Sequence, residues 1–217
     1  MNKKSKKIRN VKEYDERKSE ITDIAAEMFM RKGYEKCSVN EIIGTVGIAK
    51  GTFYYYFKTK EEVLDAVIYK FTSKIMKKAE EIVKNSSLTP QEKLLEIFFS
   101  MNIEQITGNQ ILSNLHKPEN VLMHQKSLIS SISSLTPLLT AVVEEGIEKG
   151  VFSCPYPKQY MQIFLSSVIT LTDEEMFDIR TDERQELFRG MISLLEKILS
   201  AEEGEFLKRI KKYGTVS

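Results

Sequence analysis

The stretch GIAKGTFYYYFKTK, residues Gly47 to Lys60, decides the fold of this 217-residue chain. It places three consecutive tyrosines between two phenylalanines in a polar, basic segment. On a helix from Lys50 to Tyr56, Phe53 and Phe57 are four residues apart and share one face, which we predict to be buried. The tyrosines then lie around the remaining arc, where their hydroxyls are available to another molecule.

The residues before this stretch predict two more helices. Apolar residues at intervals of three and four predict a first helix from Lys18 to Lys32, which Gly33 ends. Ser38 and Glu41 have the spacing of a capping box and begin a second helix of about eight residues. Thr59 and Glu62 form another capping-box pair after the third helix. Two short helices joined by a glycine-containing turn are typical of a helix-turn-helix domain, whose second helix enters the major groove of DNA.

The side chains on and around the third helix fit the chemistry of DNA. Tyrosine and threonine hydroxyls can donate to phosphate oxygens, rings and methyl groups can contact thymine methyls, and lysines add charge. The competing interpretation is that the tyrosine rings pack a small domain and keep their hydroxyls in water. The turn spacing, two capping boxes and flanking lysines together favour DNA.

Charge is unevenly distributed along the chain. Residues 1–60 have 14 Lys and Arg against 8 Asp and Glu, whereas the rest has 18 against 23. A basic head suggests a polyanionic partner, although a solvated basic tail explains much of the excess. The longest apolar runs, such as VLDAVI, are shorter than the roughly 20 residues of a membrane span. We therefore expect a cytoplasmic protein with no membrane partner.

Every predicted element in the rest of the chain is helical, so the fold class is all-α. A long fourth helix, from Thr59 towards Val83, is expected to join the head to the body. The later helices are expected at Pro90 to about Thr107, about Pro118 to Ser133, Pro137 to Lys149, Lys158 to about Met176, and about Glu183 to Leu199. The predicted domains are a basic flexible arm (1–16), a helix-turn-helix DNA-binding domain (17–60) and a helical effector-binding and dimerisation domain (61–217).

Residues 17–64, and most closely SVNEIIGTVGIAKGTFYYYFKTKEEVL, resemble the DNA-binding domain of TetR/AcrR family transcriptional regulators. The resemblance implies a homodimer that binds a palindromic operator and a body that binds a small molecule and dimerises through its last two helices. Tyr56 stands where the family often has histidine, which leaves a hydroxyl donor in place. The predicted DNA-binding residues are Ser38, Lys50, Gly51, Thr52, Tyr54, Tyr55, Tyr56 and Lys60.

In the body, soft apolar side chains mixed with isolated polar ones are typical of a small-molecule pocket, although such residues are more often core. The predicted ligand-binding residues are Phe98, Met101, Asn102, Gln105, His116, Met123, His124, Tyr160 and Phe164. Small and apolar faces on the last two predicted helices suit a subunit contact, with internal packing as the alternative. The predicted dimer-interface residues are Gln162, Ile163, Ser166, Ser167, Thr170, Phe188, Met191, Ile192 and Leu195.

Other classes of protein fit less well. The sequence has no nucleophile motif or phosphate-binding glycine loop, so no enzymatic activity is expected. The chain has two cysteines, Cys37 and Cys154, and two histidines, and their spacing predicts no metal site and no cofactor. We therefore interpret the chain as a repressor that binds DNA and is released from it by a small apolar or amphipathic effector. A DNA-binding architectural protein without an effector is the alternative.

Overall fold

The computed structural model describes the backbone of residues 3–101, 118–173, 176–177 and 179–212, and the side chains of these ranges outside 3–12, 181–182 and 211–212. All elements in these ranges are helical, which confirms the all-α prediction. They are α1 (Lys3–Lys32), α2 (Val39–Val46), α3 (Lys50–Tyr56), α4 (Lys60–Lys84), α5 (Pro90–Ser100), a 3-10 turn (Pro118–Asn120), α6 (Val121–Glu148), α7 (Pro157–Leu171), α8 (Thr181–Leu199) and α9 (Glu205–Lys212).

The chain forms two compact units. The first contains the described residues up to Thr72 together with residues 118–127, and the second contains the other described residues. This division does not follow the predicted boundary at residue 60. Helices α4 and α6 contribute residues to both units.

The core of the first unit is built around the aromatic residues that the sequence pattern places on one face. Phe53 and Phe57 are 0% and 2% exposed, as their four-residue spacing predicts. Gly33 ends α1 with φ of 89°, and the ring of Tyr34 then packs 5.1 Å from the ring of Phe29. Met123, at the start of α6, is fully buried in the same core.

The core of the second unit contains residues from α4 to α9. Its buried members include Ile75, Leu94, Leu95, Leu139, Val143, Phe164, Leu195 and Phe206. A buried carboxylate in this unit is paired with backbone donors. The Glu196 carboxylate accepts from the N–H groups of Gly204 and Phe206, both at 2.9 Å, and so holds the start of α9.

The first helix is longer than predicted. Its backbone is helical from Lys3, within the segment 1–16 that the sequence predicts to be a flexible arm. The predicted helix begins at Lys18 because apolar periodicity begins there. The preceding residues are mostly good helix formers, which continue a helix without an apolar stripe.

Helix α6 replaces two predicted helices. Pro137 lies inside it rather than starting a new one. Leu135 and Leu139, on either side of the proline, are buried in the second core, and this packing outweighs the loss of one backbone hydrogen bond. Helix α9 was not predicted, although Phe206 and Ile210 have the four-residue spacing that could have indicated it.

One described helical stretch, Pro118–Glu148, is long and apolar enough to cross a bilayer by length and composition. Core helices of soluble proteins also pass this test. Here the helix supplies Met123 to one core and Val142 to the other, as a core helix does. Its full length was not predicted, because Pro137 was expected to start a separate helix.

Candidate DNA-binding surface

Hydrogen bonds cap both ends of α2, the helix that precedes the turn to α3. Ser38 Oγ accepts from the Glu41 N–H at 3.2 Å, and Glu41 Oε2 accepts from the Ser38 N–H at 2.8 Å, which forms the predicted capping box. At the other end, Gly47 has φ of 74°, a left-handed conformation that favours glycine, and its N–H donates to the Ile43 carbonyl at 3.0 Å. The geometry of α2 and the turn is therefore set by local sequence.

Helix α3 presents the predicted hydroxyl groups on the surface. Tyr54 is 38% exposed and Tyr55 is 66% exposed, while Phe53 between the turn and the tyrosines is buried. Lys50, Gly51 and Thr52, in the first turn, are also exposed. These side chains therefore offer both aromatic surface and hydroxyl groups to another molecule.

Tyr56 is half-buried because other rings surround it. Its ring lies 4.7 Å from the ring of Tyr14 and 5.1 Å from that of Tyr55, measured between centroids. The Tyr14 and Tyr55 rings meet edge to face at 5.6 Å. Tyr14, in the first half of α1, was not among the predicted site residues, because it lies in the segment interpreted as a flexible arm.

The two lysines after α3 are held by the fold. Lys60 Nζ lies 4.0 Å from the centroid of the Tyr34 ring, a cation–π contact, and is half-buried. Lys58 Nζ donates to the Tyr54 carbonyl at 2.6 Å, which places a cation at the C-terminal end of α3. The N–H of Lys58 donates to Glu62 Oε2, so the predicted capping box at Thr59 forms with its reciprocal bond one residue earlier.

A pKa shift accompanies the α2 cap. Hydrogen bonds from Lys32 and from Ser38 lower the pKa of the Glu41 carboxyl to about 2. Lys32 Nζ lies 2.9 Å from Glu41 Oε1, so this carboxylate ties the end of α1 to the start of α2. By contrast, burial raises the pKa of the Cys37 and Cys154 thiols, which makes both poor nucleophiles.

The predicted ligand-binding residues are divided between the two units. Phe98 and Phe164 meet at 5.4 Å between ring centroids, and Met101 and Tyr160 pack against the same core. Met123 is buried in the core of the first unit, to which His124 beside it also belongs. The remaining three, Asn102, Gln105 and His116, lie outside the described residues.

An apolar cavity of about 230 Å³ lies between the end of α7 and the start of α8. Its lining residues are Leu171, Thr172, Phe177, Ile179, Arg184, Leu187, Phe188 and Met191. None of these is a predicted ligand-binding residue, whereas Phe188 and Met191 belong to the predicted dimer interface.

The predicted dimer-interface residues divide by burial. Leu195 and Ile192 are 0% and 6% exposed, which agrees with internal packing, the alternative interpretation of these two residues. Ile163 on α7 is 66% exposed, and Leu194 on α8, which was not among the predicted residues, is 47% exposed. The other predicted residues, Gln162, Ser166, Ser167, Thr170, Phe188 and Met191, are exposed or half-buried.

Comparison with known proteins agrees with this geometry. The family described as bacterial regulatory proteins, tetR family, matches residues 21–67, and the one described as tetracyclin repressor-like, C-terminal domain, matches residues 103–188. Together the two matches span more than half of the chain. The chain belongs to the tetR family. It is a TetR-type DNA-binding transcriptional regulator, and the relatives that it matches are regulators rather than enzymes.

Named relatives and solved structures cover most of the chain. The fatty acid metabolism regulator protein of Bacillus subtilis is 24% identical over 187 residues, 83% of this chain and 93% of that protein. The transcriptional repressor KstR2 of Mycobacterium tuberculosis is 26% identical over 140 residues, 63% of this chain and 69% of that protein. The crystal structure of RolR with its ligand resorcinol has a TM-score of 0.63 at 16% identity, covering 90% of this chain and 93% of that chain. A TetR/AcrR regulator from Thermobifida fusca has a TM-score of 0.55 at 22% identity, covering 83% and 96%. These structural likenesses show the TetR fold.

Proposed function

We propose that the protein is a cytoplasmic repressor that binds a palindromic operator as a homodimer and is released by a small effector. The observation that carries the proposal is the set of exposed hydroxyls on α3, above all Tyr55, held on a turn that is capped at Ser38 and Gly47. The most exposed ring of this helix stands beside lysines and a threonine hydroxyl, which is the chemistry of a phosphate-lined groove. In this proposal Lys50, Thr52 and the tyrosines contact bases or phosphates.

The effector is expected in the body. We expect it near the Phe98–Phe164 pair and the flanking Met101 and Tyr160, whose apolar groups and one hydroxyl suit an apolar or amphipathic organic molecule. The names of two similar proteins point the same way, since one regulates fatty acid metabolism and another was solved with resorcinol.

Release would follow from differential binding. An effector that binds only one arrangement of the body at about a hundred times its Kd shifts the equilibrium by roughly 2.7 kcal/mol, or about a hundredfold in operator affinity. Helix α4 has residues in both units and is the element that we propose carries this change.

The test is selection of bound duplexes from a random DNA pool by the purified protein. We expect an enriched palindrome. Tyr55→Phe should then bind it about tenfold more weakly, because each of two protomers loses a hydrogen bond of roughly 0.5–1.5 kcal/mol. Tyr69→Phe is the matched control, since Tyr69 is 72% exposed on α4 and lies outside the proposed surface.

Failure would take a definite form. If no sequence is enriched, or if Tyr55→Phe and Tyr69→Phe bind the palindrome equally well, the assignment of α3 as the reading helix is wrong. The architectural alternative predicts a different pattern, in which DNA is bound without a preferred sequence and no organic molecule changes its affinity.

A further inference from the structure

Helix α1 extends well beyond the part of it that packs in the first core. Among the side chains of α1 that the structure describes, from Glu13 onward, the buried ones begin at Ile21, where the match to the family's DNA-binding domain also begins. The helix itself starts at Lys3. About eighteen residues, or roughly 27 Å at the helical rise, therefore precede the domain. None of the described side chains of this stretch, at positions 13–20, is buried in the core of the first unit.

Tyr14 anchors this extension to the proposed reading helix. Its ring contacts Tyr55 at 5.6 Å and Tyr56 at 4.7 Å, and one turn later Lys18 Nζ lies 5.4 Å from the ring of Phe57. The first half of α1 thus leaves the domain beside the exposed tyrosines of α3. Whatever α3 contacts is within reach of the residues before Tyr14.

Those residues carry a dense positive charge. Positions 3–12 hold five lysines and one arginine, and no Asp or Glu. Positions 3, 7 and 14 are separated by four and seven residues, so on a continuous helix they fall on the face that Tyr14 occupies. Like charges at such spacings repel one another along a helix, and a polyanion relieves that repulsion.

We propose that residues 3–12 form a second DNA contact, a basic helical extension that binds backbone phosphates next to the groove that α3 reads. This rests on the proposed function. A phosphate contact here is independent of base sequence and adds affinity through released counterions. Anionic membrane fits less well, because Ile8 and Val11 are the only large apolar residues at positions 3–12 and interfacial helices bury a wide apolar face.

The experiment measures how operator affinity depends on salt. The triple variant Lys3→Gln, Lys4→Gln, Lys7→Gln keeps helix propensity while removing three charges. A control variant with Lys77, Lys78 and Lys158 each changed to Gln removes the same charge from exposed positions of the second unit. Each protein is titrated with the selected palindrome over a range of NaCl concentrations and, in parallel, with vesicles containing phosphatidylglycerol.

For the triple variant, we expect the slope of log K against log salt to be smaller in magnitude by at least about 2. Each of the two protomers loses one or more phosphate contacts, and each contact contributes about 0.9 to the magnitude of the slope. The control variant should keep the wild-type slope. Equal slopes for all three proteins would overturn the proposal while leaving operator binding intact. Vesicle binding that only the triple variant loses, with an unchanged DNA slope, would assign the extension to membranes instead. If no palindrome is selected, the same slopes are read on a random 30-base-pair duplex, so the extension is tested apart from α3.

Discussion

The Glu41 carboxylate completes the α2 cap and forms an ion pair with Lys32, and these contacts lower its pKa to about 2. Because the folded pKa lies below the ordinary value of 4.5, the stabilisation is fully present above pH 4.5 and is lost as the pH falls towards 2. We expect Glu41→Gln to remove this part of the acid dependence, so that its stability curve becomes flatter than wild type between pH 4.5 and 2.

The measurement is urea unfolding of both proteins at several pH values, followed by circular dichroism. Glu20→Gln serves as a control, because Glu20 is an exposed carboxylate whose ion pair with Arg17 lies within α1. Parallel pH curves for wild type and Glu41→Gln would show that the cap contributes nothing in this range.

Gly146 in α6 is fixed by its neighbour. A Cβ at this position would overlap the buried ring of Phe152, with Cε2 only 2.6 Å away. We expect Gly146→Ala to destabilise the protein by about 1–3 kcal/mol through overpacking. Gly44 is also helical, but a Cβ added there would have no atom within 4 Å, so Gly44→Ala should be neutral or stabilising by up to about 1 kcal/mol. Thermal unfolding of the two variants distinguishes these effects, and equal melting temperatures would contradict the steric explanation.

At the scale of elements, the 3-10 turn before α6 is bound to the end of α1. Asn120 is fully buried and its Oδ1 accepts from the Tyr34 N–H at 2.9 Å. Asn120→Ala should cost about 1–3 kcal/mol, because a buried N–H loses its acceptor. Lys36→Ala, which removes only the exposed ion pair of Lys36 with Glu119, should cost less than about 1 kcal/mol.

Hydrogen exchange at the Tyr34 amide reads this contact directly. The amide should exchange faster in Asn120→Ala and at the wild-type rate in Lys36→Ala. Unchanged exchange in both variants would mean that the turn does not protect the end of α1.

The elements that the sequence predicted well are those with local signals at their ends. Helices α2 and α3 were predicted with their observed bounds, because Ser38 is a helix start signal, Gly47 is a helix stop signal, and Phe53 and Phe57 have the spacing of one buried helix face. Pro137 was wrongly predicted to start a helix, because packing on both sides of it outweighs the local signal and only the assembled core shows that packing. The contacts of Tyr14 with α3, and of Asn120 with Tyr34, join residues that are 41 or more positions apart, and no local pattern predicts such pairs.

At the scale of the whole molecule, the proposed dimer predicts that Ile163 is buried between the two subunits. The side chain is 66% exposed on α7, so Ile163→Asp should leave the folded monomer almost unchanged. In a dimer, two unpaired carboxylates would be buried at about 1–3 kcal/mol each, and the dissociation constant should rise at least about thirtyfold.

Sedimentation velocity at several concentrations measures the change. Val121→Asp is the matched control, because Val121 is 63% exposed at the start of α6 and outside the proposed interface. A dimer that both variants leave intact would place the subunit contact elsewhere. A wild-type protein that stays monomeric at every concentration would contradict the dimer itself.

Because residues 118–127 belong to the first unit, a fragment that ends before them lacks part of that unit. The first unit is built from two separate stretches of the chain. The second stretch supplies Met123 to its core and Lys126 to its surface, where Lys126 Nζ lies 2.7 Å from a Glu61 carboxylate oxygen and 2.8 Å from one of Asp65. A nascent chain or proteolytic fragment that ends after α4 would keep α2 and α3 yet leave this core open to water. Such fragments should be short-lived, so damage or premature termination would remove the regulator rather than leave behind a DNA-binding piece without the body in which we propose that the effector binds.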